Sequence, residues 1–248
     1  MIPVFCPAGQ GQLTQIMPLN PVAGYSAWYN PTTIQHTGAV VTAWNDASAN
    51  AFHFGTAVNS PVYTASAING LAGVTGNGST NQRELTSTAT LANVIGTSST
   101  AYTLYAVFTA NNFTGGGISR PGAVISDSGG FWSLGTGQSS NTNYTGYSQG
   151  TGGTFGISSA ASTTGITVIM EMYYDGTNLH LRFNGTDATP VGSTGGITTT
   201  GTLQVGKSWT SDWLDGSVCE IIIYNSVLSS GNRTAMHSYL GTKYAGTG

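Results

Sequence analysis

The feature that most constrains this chain is a period-two alternation of apolar side chains, repeatedly cut short by glycine-containing turns. Tyr102, Leu104, Ala106 and Phe108 fall on one face of a strand, and Ile166, Val168, Met170, Met172 and Tyr174 on one face of another. Alternation of this kind marks half-buried β-strands, because successive side chains point to opposite faces of a sheet. Asp175-Gly176 follows the second run, and Leu179, Leu181 and Phe183 then alternate with the polar His180 and Arg182 up to Asn184-Gly185. Both dipeptides predict two-residue type I′ hairpins, whose central residues need positive φ. Leu203 and Val205 mark a short strand. Val218 to Tyr224 is almost continuously apolar, as expected of a strand covered on both faces.

One helix is predicted, at the C-terminal end. Ser229 is its N-cap, and Ala235, Met236, Tyr239, Leu240 and Tyr244 recur at helical spacing. Stretches such as Thr114 to Gly117 and Gly150 to Gly153 read as loops. Residues 1–24 carry Pro3, Pro7, Pro18 and Pro21. Proline fixes φ and removes a ladder donor, so this segment reads as an extended arm that packs on its own domain or reaches a neighbouring subunit. The expected architecture is all-β: a two-sheet antiparallel β-sandwich or jelly roll over residues 25–248, with one short C-terminal helix and an extended N-terminal arm.

Charge narrows the partners. Only 6% of the residues are charged, against ~25% in ordinary globular proteins. Glycine, serine, threonine and asparagine take their place, while mean hydropathy stays near zero at +0.01. With six Lys plus Arg, a net charge of −3 and no basic run, the chain lacks the cations that neutralise phosphates, so neither nucleic acid nor an anionic membrane surface is an expected partner. No apolar stretch is long enough for membrane insertion. The opening Met-Ile-Pro-Val-Phe-Cys-Pro does not read as a secretory signal. Cys6 and Cys219 are the only cysteines; they read as two free thiols, with Cys219 as a small core residue, or as one bridge tying the arm to the sandwich.

Four segments carry a family resemblance. Gly38 to Asp46 (GAVVTAWND) resembles an early strand of the pattern V-x-x-W-x-D. Asn69-Gly70-Leu71 with Gly76 to Ser79 is similar to an N-G-x-P…D-G segment, and Asp175-Gly176-Thr177 through Asn184-Gly185 to a D-G-t-x-L…N-G hairpin. Asp215 to Asn225, followed by Leu228-Ser229, Tyr239-Leu240 and Lys243-Tyr244, resembles a closing pattern G-x-I-A-E-v-i-i-Y-n…L-s…Y-L-x-x-K-Y. In this order the motifs resemble the concanavalin A-like (laminin G-like) domains of bacterial surface and bacteriophage proteins. The resemblance implies the jelly-roll sandwich and leaves function open. Two departures stand out. Asn77 to Asn81 replaces the family's acidic residue, which weakens a carried-over calcium site, and the arm before Tyr25 has no family counterpart.

Catalytic chemistry is thinly represented. Retaining glucanases of this superfamily use E-x-D-x-x-E on one strand, which places two carboxylates ~5 Å apart. None of Glu84, Glu171 and Glu220 has a second acid at that spacing. Glu171 alternates outward and reads as a surface carboxylate, and Glu220 as a satisfied structural group. No G-x-S-x-G elbow occurs, and His36, His53, His180 and His237 lie in no motif. No catalytic residue is assigned and no cofactor is expected. Calcium is the one metal left open, with Asp46, Asp212 and Asp215 as candidate ligands, against a reading in which Asp46 and Asp215 anchor turns. For ligand binding, Trp132, Tyr144, Tyr147, Trp209 and Trp213 stand in loop-like contexts beside Asn, Ser and Gln, the chemistry of a glycan platform or a protein interface. Trp28 and Trp44 read as core.

Together these features lead to the expectation of a non-enzymatic bacteriophage virion surface protein, a capsid decoration or fibre-like component. Its arm would dock on capsid or other virion proteins or on sister subunits of a homo-oligomer. The alternative is a carbohydrate-binding module or adhesin for cell-surface glycans acting outside the cell. A glycan hydrolase with an unrecognised site is a third reading.

Overall fold

The alternating runs pair into two sheets. The computed structural model describes residues 20–78, 81–97, 101–112, 122–136, 143–150, 153–161, 163–192, 196–197, 199–208 and 212–244. One sheet runs, in spatial order, Asn178–Phe183, Thr167–Tyr174, Tyr102–Asn112, Asp215–Tyr224, Leu71–Thr75 and Val62–Ile68, every neighbouring pair antiparallel. The other runs Phe54–Val58, Glu84–Thr90, Thr202–Val205, Gly122–Asp127, Trp132–Thr136, Asn143–Gly150 and Gly153–Ala161, again antiparallel throughout. Val40–Trp44 bridges the two at one corner, Val40 pairing with Val62 and Trp44 with Phe54. The chain is an all-β sandwich carrying the predicted C-terminal helix, Ser230–Lys243.

The expected alternation fills the space between the sheets. Tyr102, Leu104, Ala106, Phe108, Val168, Met170, Met172 and Tyr174 are all buried in one core with Leu203 and Val205. Ring contacts cross the interface at Tyr102–Trp132 (6.0 Å), Phe108–Tyr144 (5.9 Å) and Tyr144–Phe183 (5.5 Å). Ile166 is the exception. It precedes the first residue of its strand and is 40% exposed.

A second core lies on the outer face of the first sheet, where Tyr105, Val107, Ile169, Ile222 and Tyr224 meet Met236, Tyr239, Leu240 and Tyr244 of the helix. Val218 to Tyr224 is thus covered on both sides, as its continuous apolar sequence requires. A bulge between Val218 and Glu220 shifts the alternation, turning Val218 inward with Ile221 and Ile223 while Ile222 and Tyr224 face the helix. Ser229 caps the helix by accepting from the Asn232 N–H at 3.2 Å. Ala235, expected on the buried stripe, is exposed. Cys219 is a buried free thiol in this second core, and burial together with the adjacent Glu220 charge pushes it up to about 12. Cys6 lies outside the described residues.

The two predicted hairpins differ. Asn184 and Gly185 have φ of 40° and 79°, and Phe183 pairs with Thr186, so this is the expected two-residue turn. At Asp175-Gly176 only Gly176 has positive φ, and Tyr174 pairs with Leu179 across a four-residue loop. The Asp175 carboxylate accepts from the N–H groups of Thr177 and Asn178, favouring this wider loop over the tighter turn. Of the arm, the described end packs on the helix side. Tyr224 Oη donates to the Val22 carbonyl at 2.7 Å, and the Tyr25 ring contacts Trp28 and Tyr224. Among the described residues no helix is long and apolar enough to cross a membrane.

Close strand approach makes Gly216 irreplaceable, since a Cβ there would overlap the carbonyl oxygen of Thr109. Gly216→Ala is expected to lose about 3 kcal/mol of stability in urea unfolding. Gly241→Ala, in the helix with nothing near the added carbon, is expected to gain about 0.5 kcal/mol. Equal effects at the two sites would contradict this packing.

Candidate functional site

The structure redistributes the aromatic residues that the sequence suggests for binding. Trp132, Tyr144 and Tyr147 lie on strands, and all three are buried rather than exposed platforms. The Ser-, Thr-, Asn- and Gly-rich segments around them pair as strands, so their alternation turns Trp132 and Tyr144 into the core. The Tyr144 hydroxyl donates to the Thr163 carbonyl at 3.2 Å, and burial pushes it up to about 12. Tyr147 donates to Gln149 Oε1 at 3.1 Å. Trp213 is half-buried, its ring 5.9 Å from Lys207 Nζ, which pairs with Glu84 at 2.9 Å. Trp209 and the side chain of Asp212 lie outside the described residues. Trp44 is core, whereas Trp28 is half-buried and donates Nε1–H to Glu220.

Of the candidate calcium ligands, Asp46 is committed to its turn, accepting from the N–H groups of Trp28, Ser48 and Phe52 and from the Ser48 hydroxyl. Asp215 accepts from Asn111 Nδ2 at 3.2 Å. Among the described residues no three of His, Cys, Asp and Glu gather as metal ligands do.

The charges that the chain does carry are concentrated elsewhere. Two of its six Lys plus Arg (Arg182, Arg233), three of its nine acids (Glu171, Asp175, Asp187) and two of its four histidines (His180, His237) converge on the outer face of the first sheet, beside the start of the helix. Glu171, Tyr173, His180, Arg182, Asp187 and Arg233 line a cleft of ≈ 250 Å³ together with Pro190, with Asp175 behind His180 and His237 behind Glu171. Two adjacent strands place the side chains. Glu171, Tyr173, His180 and Arg182 share one sheet face because Glu171 pairs with Arg182 and Tyr173 with His180.

Glu171 is the correction that matters most. Its outward alternation reads as surface, yet it is 1% exposed because the helix covers that face. Its Oε1 accepts from Tyr105 Oη at 3.1 Å and faces Arg233 Nε at 3.2 Å, while Oε2 meets His237 Nε2 at 2.7 Å. Burial and the Glu171 charge hold the Tyr105 hydroxyl far above its ordinary value. The Arg233 guanidinium lies 4.2 Å from the centre of the Tyr173 ring, which also stacks on His180 at 4.2 Å and 4°. His180 Nε2 is in turn 2.8 Å from Asp175 Oδ2. Burial alone would raise Asp175, but the Asn178 N–H, His180 and the Thr177 N–H outweigh it and hold the carboxyl below its ordinary value.

The exposed end of the cleft is looser. Arg182 Nε stands 3.5 Å from Asp187 Oδ1, with Asp187 74% exposed, and Arg182 Nη2 donates to the Gly185 carbonyl at 3.1 Å. Chemically this is a donor and acceptor pair beside an aromatic floor, suited to hydroxyl-rich or carboxylated ligands. Glu220, by contrast, is fully buried and satisfied by Trp28 Nε1, Tyr239 Oη, Tyr244 Oη and Lys243 Nζ, a structural role as the sequence suggests.

No family model and no curated protein sequence matches the chain. Solved structures do. Domain 4 of AbnA, a GH43 extracellular arabinanase from Geobacillus stearothermophilus, in complex with arabinotriose, superposes with a TM-score of 0.61 at 13% identity over 87% of this chain and 98% of that one. The binding domain of Paraclostridial Mosquitocidal Protein 1 gives 0.63 at 9% identity, over 88% of this chain and 52% of that one. Trypanosoma rangeli sialidase in complex with sialic acid gives 0.55 at 13% identity, covering 92% of this chain but 34% of the enzyme. At such identities the likeness shows the fold alone, a β-sandwich shared with carbohydrate-binding and glycoside-processing proteins.

Removing Glu171 leaves the Arg233 guanidinium without its counter-charge and His237 Nε2 without its partner. Glu171→Ala is expected to cost about 3 kcal/mol in chemical denaturation, with Glu171→Gln retaining part of that loss. No measurable change for Glu171→Ala would contradict the buried network.

Proposed function

We propose that this chain is a non-catalytic recognition domain that binds a glycan in the cleft formed by Tyr173, His180, Arg182 and Asp187. The observation that carries this reading is the gathering of so much of a charge-poor chain's charge around one open cleft. Sugar hydroxyls take paired donors and acceptors, and an Arg–carboxylate pair beside an aromatic ring supplies both. A solvated surface pair would need no such surroundings, because isolated exposed ion pairs contribute ~0–1 kcal/mol. The sandwich fold shared with a domain solved in complex with arabinotriose is in keeping with this reading.

Catalysis is disfavoured by the state of the acids. Both Glu171 oxygens are already engaged, and the group is 1% exposed, out of reach as nucleophile or proton donor. Asp175 is held by two backbone N–H groups and His180. That leaves Asp187, paired only loosely with Arg182, as the one exposed carboxylate lining the cleft, where glycoside hydrolysis uses two. Calcium plays no part in this reading.

On a glycan array the full chain is expected to give saturable binding that Arg182→Ala lowers at least tenfold and His36→Ala, where the exposed His36 ring stacks on Tyr63, leaves unchanged. Release of reducing ends from the bound glycan, or loss of binding in His36→Ala with Arg182→Ala unaffected, would overturn the reading.

A setting on a bacteriophage virion surface, as decoration or fibre-like component, is the finer part of the proposal. It is supported by the 6% charged composition, the proline-rich segment 1–24 and the docking of Val22 and Tyr25 against the helix face. In this setting the arm joins sister subunits or capsid proteins. Sedimentation analysis is expected to show an oligomer that reverts to monomer when residues 2–19 are removed; a monomer in both cases would contradict arm-mediated assembly.

A further inference from the structure

We infer that the sugar held in the cleft is an acidic one, its carboxylate taken by Arg182 in the place that Asp187 now occupies; this rests on the glycan-binding reading above. The state of Arg182 points to it. Its Nε is shielded from solvent and makes no hydrogen bond, since Asp187 Oδ1 at 3.5 Å is within ion-pair range only. Nη2 spends one of its two hydrogens on the Gly185 carbonyl. The guanidinium edge formed by Nε and Nη2 therefore keeps a donor free. That fork matches a planar carboxylate through two parallel N–H···O bonds, which a single neutral hydroxyl cannot reproduce.

Asp187 is built to give way. It is 74% exposed, on a two-residue strand that pairs only through Arg182 and Phe183. It thus holds the position of a ligand carboxylate weakly, as a stand-in that a stronger partner displaces. The other acids at the cleft do not repel an anion equally, because Glu171 has the Arg233 guanidinium as its counter-charge and Asp175 is held by the Thr177 and Asn178 N–H groups and His180. The remaining wall, with Ala188 and Pro190, suits the apolar face of a pyranose ring.

The test is an array carrying sialylated and uronate-bearing glycans beside their neutral counterparts, followed by titration of the strongest carboxylated probe and of its methyl ester. The expected result is binding of carboxylated probes, at least tenfold weaker for the ester and at higher salt. Arg182→Ala should abolish it, Arg182→Lys should fail to restore it, and Asp187→Ala should tighten it at least threefold, all with unchanged circular dichroism. Equal binding of neutral probes, sensitive to Arg182→Ala, overturns the acidic assignment and leaves the glycan reading standing. Binding of no probe at all overturns both.

Discussion

The arrangement depends on a buried carboxylate, Glu171. A negative charge set on a sheet face among Tyr105, Val107 and Ile169 is tolerable only with counter-charges and hydrogen-bond donors in contact, because desolvation of a lone carboxylate costs several kcal/mol. The helix supplies them as Arg233 and His237, one helical turn apart, and the sheet supplies Tyr105. Glu220 repeats the device further along the same helix with Tyr239, Lys243 and Tyr244. Two buried acids therefore fix where the helix lies, and the first of them fixes Arg233 against Tyr173 and so one wall of the cleft.

How much of this was legible in the sequence follows from which interactions are local. Alternation and the Asn184-Gly185 turn depend on neighbouring residues and read directly as strands and a hairpin. So does the doubly covered strand from Val218 to Tyr224. Asp175-Gly176 misled because a side chain capping its own loop competes with the tighter turn, a contest that dipeptide identity does not settle. Trp132, Tyr144 and Tyr147 misled for a different reason. Their strands are so rich in glycine, serine and threonine that they resemble loops, and their pairing is decided by partners elsewhere in the chain.

The cleft was the least legible part. Glu171 and Arg182 are neighbours across a hairpin whose strands the sequence does predict, and although the expected two-residue turn would have set Glu171 opposite His180, the alternation alone could have placed Glu171, Tyr173, His180 and Arg182 on one face. What the alternation cannot reveal is that the helix returns over this face, converting a surface carboxylate into a buried one more than sixty residues from its partners. A useful signal was available in composition: in a chain with so few charges, their spacing around residues 171–187 is itself informative.

The central claim is that this cleft, and Arg182 within it, meets the ligand. The most direct measurement is an NMR titration of the full chain with a glycan identified by array, following arginine Nε–H and backbone amide resonances together. Shifts are predicted at the Arg182 and Arg233 side chains and across residues 180–188, with Tyr147, Trp213 and His36 unmoved. Shifts confined to the residues around Tyr147 and Trp213, with Arg182 silent, would contradict it.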